Sequence, residues 1–349
     1  MRKSIVFMLL LLSCLGLFAT QPADYLTFKG EESKPGQNKH VVLIAGDEEY
    51  RSEESLPMLA QILSTHHGFK TTVLFSMDSN NQFIDPYNRG SMSNPEALDS
   101  ADAIIMAIRW RNYGEKVMSH FAKAFERGVP ILALRTSTHP FKGTTGIYTK
   151  YGHGKGHEGG WDHCFGRHVI GERWVNHHGK HAVEGTRSFV EEAQKLHPVL
   201  NSVGTIFGKT DVYGASPKEP STVLLRGAVT ESLDPASKVL TGKKNAPMMP
   251  IAWTREFKHE NGTINKIFTT TMGSADDLQD ESLRRLVVNA VYYGFGLRVP
   301  AKANVTYIKN FKPTMYGFRD EKDGIRKGFI RGKTPSDYID WISPKHKGK

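Results

Sequence analysis

The sequence predicts an α/β fold with a doubly wound, mainly parallel sheet. Short apolar runs alternate with stretches of helical periodicity from residue 40 to residue 134. The predicted helices stop at glycines and lead directly into the next apolar run. At 349 residues, the chain is also long enough to bury a large core in one domain. Strands that alternate with helices in this way form parallel sheets with helices on both faces.

The first part of the domain supplies four strands. Residues 40–45 form a compact apolar run that ends in an acidic loop at residues 46–50. The helix that follows has apolar side chains at helical spacing and stops at Gly68, because glycine readily adopts the left-handed conformation that ends helices. The next elements predicted in chain order are a strand at 70–76, a short helix at 95–100, a strand at 102–108, a helix at 115–127 and a strand at 129–134.

The second part is less regular. Residues 142–181 are rich in glycine, histidine and aromatic residues, with a helix predicted around residues 164–174. An Asn-Gly turn at residues 259–262 predicts a hairpin between two strands. An amphipathic helix at residues 281–296 closes the domain. Further strands are predicted from apolar segments at 188–190, 222–225, 251–257 and 266–271.

The amino terminus predicts export. Arg2 and Lys3 precede an almost wholly apolar run, and small and polar residues follow it, which is the layout of a secretory signal peptide over residues 1–23. The apolar run is short for a membrane span, so we expect a periplasmic or extracellular protein. The alternative is a lipid anchor at Cys14, because residues 11–14 resemble a lipoprotein cleavage box. The apolar residues that follow Cys14 disfavour it.

The net charge of +10 does not indicate nucleic-acid binding. After residue 300, twelve Lys or Arg and five Asp or Glu give a net charge of +7, and Arg2 and Lys3 contribute a further +2. The body of the chain is therefore nearly neutral. We predict one domain at residues 40–299, preceded by a linker at 24–39 and followed by a basic extension at 300–349. Within this extension, the tail at 322–333 is expected to be solvated, with contact to an anionic surface as the alternative.

The predicted functional site lies at the carboxyl edge of the sheet. Right-handed crossovers bring the strand ends at residues 46–53, 109–112 and 135–139 to one edge, where open α/β sheets bind ligands. His139 lies there as a candidate acid/base group, because imidazole exchanges protons near neutral pH. Arg109 and Arg135 end neighbouring strands, and a guanidinium group there stabilises negative charge on a substrate oxygen. The alternative is that they form structural ion pairs with Asp47, Glu48 or Glu53.

Six short segments occur in a characteristic order and spacing in the second part of the chain. The segments are Gly-Glu-Arg-Trp-Val-Asn-His at 171–177, His-Pro-Val-Leu at 197–200, Asp-Val-Tyr at 211–213, Pro-Ile-Ala-Trp at 250–253, Thr-Thr-Thr-Met-Gly at 269–273 and Asn-Ala at 289–290. Together they resemble the trehalose-utilisation (ThuA-like) family, which has the flavodoxin-like fold of class I glutamine amidotransferases. The resemblance implies processing of a carbohydrate, such as a keto sugar or glycoside, with the motif histidine His177 as a catalytic group. It also implies site roles for Asp211 and Tyr213.

The chain also departs from that family. The amidotransferases carry a catalytic cysteine in the turn after the strand that corresponds to residues 129–134, whereas this chain has Arg135-Thr136-Ser137 there. Glutamine hydrolysis by a cysteine–histidine pair is therefore excluded. ThuA-like proteins often have histidine where Arg135 and Ser274 stand and glutamate where Val212 stands, so we expect a divergent member.

The predicted ligand is a small carbohydrate. Amphipathic aromatic side chains stack on sugar rings. The predicted substrate-binding residues are Asp47, Glu48, Trp110, Tyr151, Trp161, Asp211 and Tyr213.

A glycine-rich stretch at residues 153–163 offers His153, His157 and His163 as candidate ligands of a divalent metal such as zinc. No pair has the tight helical spacing of a known metal motif, so a polar lid is the favoured interpretation and no cofactor is predicted firmly. Two alternatives to a carbohydrate-processing enzyme remain at this point. One is a non-catalytic sugar-binding or scaffolding module, and the other is a metal-dependent hydrolase that uses this stretch.

Overall fold

The computed structural model describes residues 23–154, 161–318 and 331–344. This part of the chain forms a mixed α/β fold around one ten-stranded sheet, which confirms the predicted α/β class. The helices are α1 (Ser52–His67), α2 (Glu115–Glu126) and α3 (Glu281–Phe295). The strands are β1 (Tyr25–Phe28), β2 (His40–Gly46), β3 (Lys70–Phe75), β4 (Ala103–Ile108), β5 (Ile131–Leu134), β6 (Thr186–Val190), β7 (Phe207–Gly208), β8 (Thr222–Val229), β9 (Met249–Lys258) and β10 (Ile264–Thr270).

The strand order is β1-β3-β2-β4-β5-β10-β9-β8-β6-β7. Strands β3, β2, β4, β5 and β10 are parallel to their neighbours in this group. Strand β1 is antiparallel at one edge, and β9, β8, β6 and β7 form an antiparallel extension at the other. The predicted mainly parallel sheet therefore describes the central strands only. Chain order reverses between β2 and β4, and ligands bind at such reversals in open α/β sheets.

The sheet has helices on both faces, as a doubly wound sheet requires. Leu43 and Ile105 point to the face that α1 and α3 cover. Ile44 and Ile104 point to the opposite face, which α2 covers. Because successive side chains of a strand alternate between faces, a central strand with helices on both sides is apolar throughout. This explains why these strands appear in the sequence as continuous apolar runs.

The borders of the domain differ from the prediction. The predicted linker at 24–39 contains β1, which pairs with β3 from Tyr25 opposite Leu74 to Phe28 opposite Thr71. Parts of the predicted extension after residue 300 also pack onto the body, since Phe311 and Trp341 are only 6% and 5% exposed. The tail predicted to be solvated, at 322–333, lies mostly outside the described residues. The helix predicted at 164–174 is reduced to the π-helical turn Gly166–Ile170.

Some predictions concern residues outside this description. Residues 1–22, with nearly all of the predicted signal peptide and Cys14, are among them, as are residues 155–160, 319–330 and 345–349. Within the described ranges, no helix is both long enough and apolar enough to cross a membrane.

Candidate functional site

Strained turns follow three strands at the carboxyl edge of the sheet. Arg51 after β2, Trp110 after β4 and Arg135 after β5 have φ angles of 60°, 45° and 45°. Residues with side chains rarely adopt this left-handed region. Such strain costs about 1–3 kcal/mol per residue and tends to concentrate at functional sites. The turns therefore mark the same edge that the strand-end argument predicts.

A cavity of about 160 Å³ opens between these turns. Five residues predicted from the sequence contribute to its wall, namely Arg109, Trp110, His139, His177 and Tyr213. The sequence argument did not assign a role to the other four, Glu49, Trp174, His181 and Phe318. Glu49 belongs to the acidic loop after β2, and Trp174 belongs to the segment 171–177, so features of the sequence pointed to both as site residues. No sequence feature pointed to Phe318, because it reaches the cavity from the carboxyl-terminal segment.

Asp211 and His177 form a buried carboxylate–imidazole pair. The Asp211 side chain is fully buried, and its Oδ2 lies 2.6 Å from Nδ1 of His177. Although burial raises the pKa of Asp211, the charge of Arg135 and the bonds to His177 and His181 lower it below its usual range. Asp211 is therefore ionised and accepts the Nδ1–H of His177, which leaves Nε2 as the proton-accepting atom. This assignment follows from the hydrogen-bond partners.

His181 bridges two carboxylates next to this pair. Its Nδ1 lies 3.1 Å from Oδ1 of Asp211, and its Nε2 lies 3.0 Å from Oε1 of Glu49. Burial lowers the pKa of His181, but the hydrogen bonds to the two carboxylates raise it to about 9. His181 is thus an imidazolium at neutral pH, with both nitrogens donating.

Arg135 supports the site from behind and does not line the cavity. Only 1% of its side chain is exposed. Its NH1 donates to the carbonyls of Asp211 and Thr271, both at 2.8 Å, and its NH2 donates to Asp211 Oδ1 at 3.0 Å and to the Tyr50 hydroxyl at 3.1 Å. The prediction that Arg135 stabilises a substrate oxygen therefore needs correction. Its guanidinium group is used in holding Asp211.

The acidic loop is also committed to structural contacts. Glu48, which is 1% exposed, accepts hydrogen bonds from Arg89, Arg109 and Arg111. Asp47 accepts the backbone N–H groups of Glu49 and Tyr50 at 2.7 and 3.0 Å, together with the hydroxyl of Thr136. Neither Asp47 nor Glu48 reaches the cavity, so the structure does not place them where substrate-binding residues were predicted.

Two of the predicted residues, Trp110 and His139, form the aromatic side of the cavity together with Trp174. The guanidinium carbon of Arg109 lies 4.1 Å from the centre of the Trp110 ring, and its side chain keeps 12% exposure. The imidazole of His139 lies 5.2 Å from Trp110 and 5.7 Å from Trp174, measured between ring centres. Burial, followed by the charge of Arg109, lowers the pKa of His139 well below its usual value. His139 is therefore neutral at physiological pH.

The predicted aromatic residues Tyr151 and Trp161 lie elsewhere. Their rings are 4.8 Å apart and pack with Phe125 and Phe165 under the amino end of β10, so they do not line this cavity. The reason is that the chain after Gly146 turns away from the strand ends and covers α2.

The candidate metal ligands of the glycine-rich stretch are not brought together. The Nδ1 of His153 lies 3.9 Å from Sγ of Cys164, whereas His163 lies beside Asp162 at 3.7 Å. His157 falls outside the described residues. In the described ranges, the histidine and carboxylate side chains close enough to share a metal ion are His177, His181 and Asp211.

This second set does not fit a divalent cation. Both nitrogens of His181 already donate to carboxylates. The guanidinium group of Arg135 also lies on Asp211 at 3.0 Å, so a 2+ ion would be placed beside a fixed positive charge. A histidine that binds a metal must be neutral and must have a nitrogen with a free lone pair. His181 has no such nitrogen.

Comparison with known proteins gives a distant structural similarity. No family model matches the chain, and no curated protein matches it. A solved structure described as a "Putative thua-like protein from Parabacteroides merdae ATCC 43184" aligns with 82% of this chain and 99% of its own, at 12% identity and a TM-score of 0.47. Because the identity and the TM-score are so low, the function has to be inferred from the side chains of the site.

Proposed function

We propose that this protein is an exported enzyme that processes a small carbohydrate by acid–base chemistry, as a divergent ThuA-like protein of flavodoxin-like fold. The observation that carries the proposal is the contact of 2.6 Å between Asp211 and His177, with His177 on the wall of the cavity. A buried carboxylate that orients an imidazole and stabilises its protonated form is a recurrent arrangement for a general base.

The cavity suits one sugar ring. Its volume of about 160 Å³ is below the roughly 300–1,000 Å³ of sites for larger ligands. Trp110 and Trp174 meet edge to face at 6.3 Å on its wall, and such rings pack against the apolar face of a sugar while polar groups contact the hydroxyls.

The residues have distinct roles on a keto sugar. The Nε2 of His177 would accept the proton from the carbon next to the carbonyl, and the electron pair would move onto the carbonyl oxygen. Arg109 would stabilise the negative charge on that oxygen. Asp211 would stabilise the imidazolium that forms on His177, while neutral His139 would exchange hydrogen bonds with the substrate.

The proposed chemistry does not include glutamine hydrolysis. In the turn after β5, the position of an amidotransferase cysteine holds the buried Arg135. Cys164 is 1% exposed, and burial raises the pKa of its thiol, which disfavours the thiolate.

The test is a turnover assay with a panel of glycosides and keto-glycosides, using the parent protein and two histidine variants. We expect His177→Ala to lower turnover by about a hundredfold to ten-thousandfold. The matched control is His178→Ala, because the neighbouring His178 instead contacts the carbonyl of Lys244 at 2.7 Å. It should retain parental turnover.

Three outcomes would contradict the proposal. Equal turnover by the His177 variant and the parent would show that the base is another residue. Binding of sugars without turnover would indicate a sugar-binding module. Activity that is lost on dialysis against a chelator and restored by zinc would indicate metal-dependent hydrolysis.

A further inference from the structure

The charged groups packed around the cavity do not cancel. Five cationic groups, of which Arg89 keeps 43% side-chain exposure, surround three carboxylates, and counting Asp47 as a fourth carboxylate still leaves one positive charge. Burial and the neighbouring Glu48 raise the pKa of Asp47. The cations are Arg89, Arg109, Arg111, Arg135 and His181, and the carboxylates are Glu48, Glu49 and Asp211.

One further cation lies beside the wall residue Trp110, and a second is the chain neighbour of the wall residue Trp174. The Nζ of Lys142 is 5.0 Å from the centre of the Trp110 ring, and Arg173 precedes the wall residue Trp174 in the chain. Within the described ranges, neither Lys142 nor Arg173 has a carboxylate within ion-pair distance. Among the described residues, no carboxylate therefore pairs with these two cations.

Arg109 is the arginine of this group that lines the cavity wall. Its NH1 contacts Glu48 at 2.6 Å, but its Nε lies 3.8 Å from Glu49, which is beyond hydrogen-bonding distance. Glu49 instead accepts from His181 at 3.0 Å. A guanidinium group has five N–H donors, so Arg109 keeps donors for a ligand while bound to Glu48.

We propose that the substrate is a sugar acid, whose carboxylate is received by Arg109 and Lys142 beside Trp110. This proposal rests on the proposed function and names its substrate class. A planar guanidinium group matches the geometry of a carboxylate. An anion in the cavity would be stabilised by the excess positive charge, whereas a neutral sugar would leave that charge unbalanced.

The test is calorimetric titration of the parent protein with pairs of monosaccharides that differ in a carboxylate. The pairs are glucose with glucuronate and galactose with galacturonate, and glucose 6-phosphate serves as a second anion. We expect one of the acids to bind at least tenfold more tightly than its neutral partner, and its affinity to fall as salt is raised.

Lys142 and Arg173 are tested with charge-removing variants. Lys142→Gln and Arg173→Gln should each weaken binding of the acid by about two- to fivefold, as exposed ion pairs do, without changing the affinity for the neutral sugar. Lys258→Gln is the control, since Lys258 lies at the far end of β9 beside the hairpin and should leave binding unchanged.

Three outcomes of the titration would contradict the sugar-acid proposal. Equal binding of acid and neutral sugar overturns the proposal but leaves the proposed function standing. Tighter binding of the phosphate than of either acid also overturns it, in favour of a sugar phosphate. If none of these sugars binds, both proposals fail.

Discussion

At the scale of single residues, the site depends on buried ion pairs whose partners are far apart in sequence. Arg135 and Asp211 illustrate this, because their guanidinium and carboxylate groups join the turn after β5 to a loop 76 residues later. The sequence argument placed both residues at the site, but it could not show that they contact each other. As a result it gave Arg135 a role towards the substrate, whereas the structure gives it a role in positioning Asp211.

This leads to a prediction for Arg135→Lys. Lysine keeps the charge but cannot supply the four hydrogen bonds that the guanidinium group makes to Asp211, Thr271 and Tyr50. Leaving buried acceptors without their hydrogen bonds typically costs about 1–3 kcal/mol, so we expect urea denaturation to show a loss of that order. Arg298→Lys is the control, because Arg298 is exposed. A variant as stable as the parent would contradict the positioning role.

At the scale of elements, the first turn of α1 carries two adjacent buried carboxyl groups. The carboxyl of Glu54 accepts from the backbone N–H and the hydroxyl of Thr314 at 2.8 and 2.6 Å. Neither oxygen of Glu53 has a hydrogen-bond partner among the described residues. Burial raises the pKa of Glu53 to about 7 and that of Glu54 to about 8.

These pKa values predict that stability falls with rising pH. Both groups have a higher pKa in the folded protein than the ordinary value of 4.5, so the folded state holds its protons more tightly. Their contribution to stability is complete below about pH 4.5 and is lost as the pH rises through 7 and 8. We expect urea denaturation at pH 5, 7 and 9 to show this decline, and Glu53→Gln to reduce it.

A matched control separates this effect from other titrations. Glu192→Gln removes an exposed carboxyl group and should leave the pH dependence of the parent intact. His181, whose pKa is raised to about 9, acts in the same direction at higher pH in every variant. A Glu53→Gln variant with the same pH dependence as the parent would show that Glu53 does not titrate as proposed.

The helices and central strands could be predicted because their signals are local. Helix α1 was expected to end at Gly68, and the structure ends it at His67 with Gly68 in the left-handed conformation. The pairing of β1 with β3 and the contact of Glu54 with Thr314 could not be predicted, since the latter joins residues 260 positions apart. The same limit applies to the site. The strand ends located its edge, but not which side chains face the cavity.

At the scale of the whole molecule, the carboxyl-terminal segment contacts both the site and α1. The Gly317 N–H donates to the carbonyl of Glu49 at 2.8 Å, and the Tyr316 hydroxyl donates to the carbonyl of Lys209 at 3.1 Å. Farther along, the rings of Tyr338 and Trp341 pack with their centres 4.5 Å apart against the core that contains α1. The described parts of the chain after residue 300 therefore belong to the folded unit.

This packing predicts that the domain is not complete at residue 299. Truncation after Lys302 would remove the buried side chains of Phe311, Tyr316 and Trp341, so we expect a protein that is insoluble or strongly destabilised. Because such a variant gives little information if it fails to fold, Trp341→Ala is the sharper test, with an expected loss of about 3–5 kcal/mol in urea denaturation. Leu196→Ala is the control, since Leu196 is 88% exposed and its loss should change stability by less than about 0.5 kcal/mol. Parental stability of both the truncated protein and the Trp341 variant would show that the chain after residue 302 is not needed for the fold.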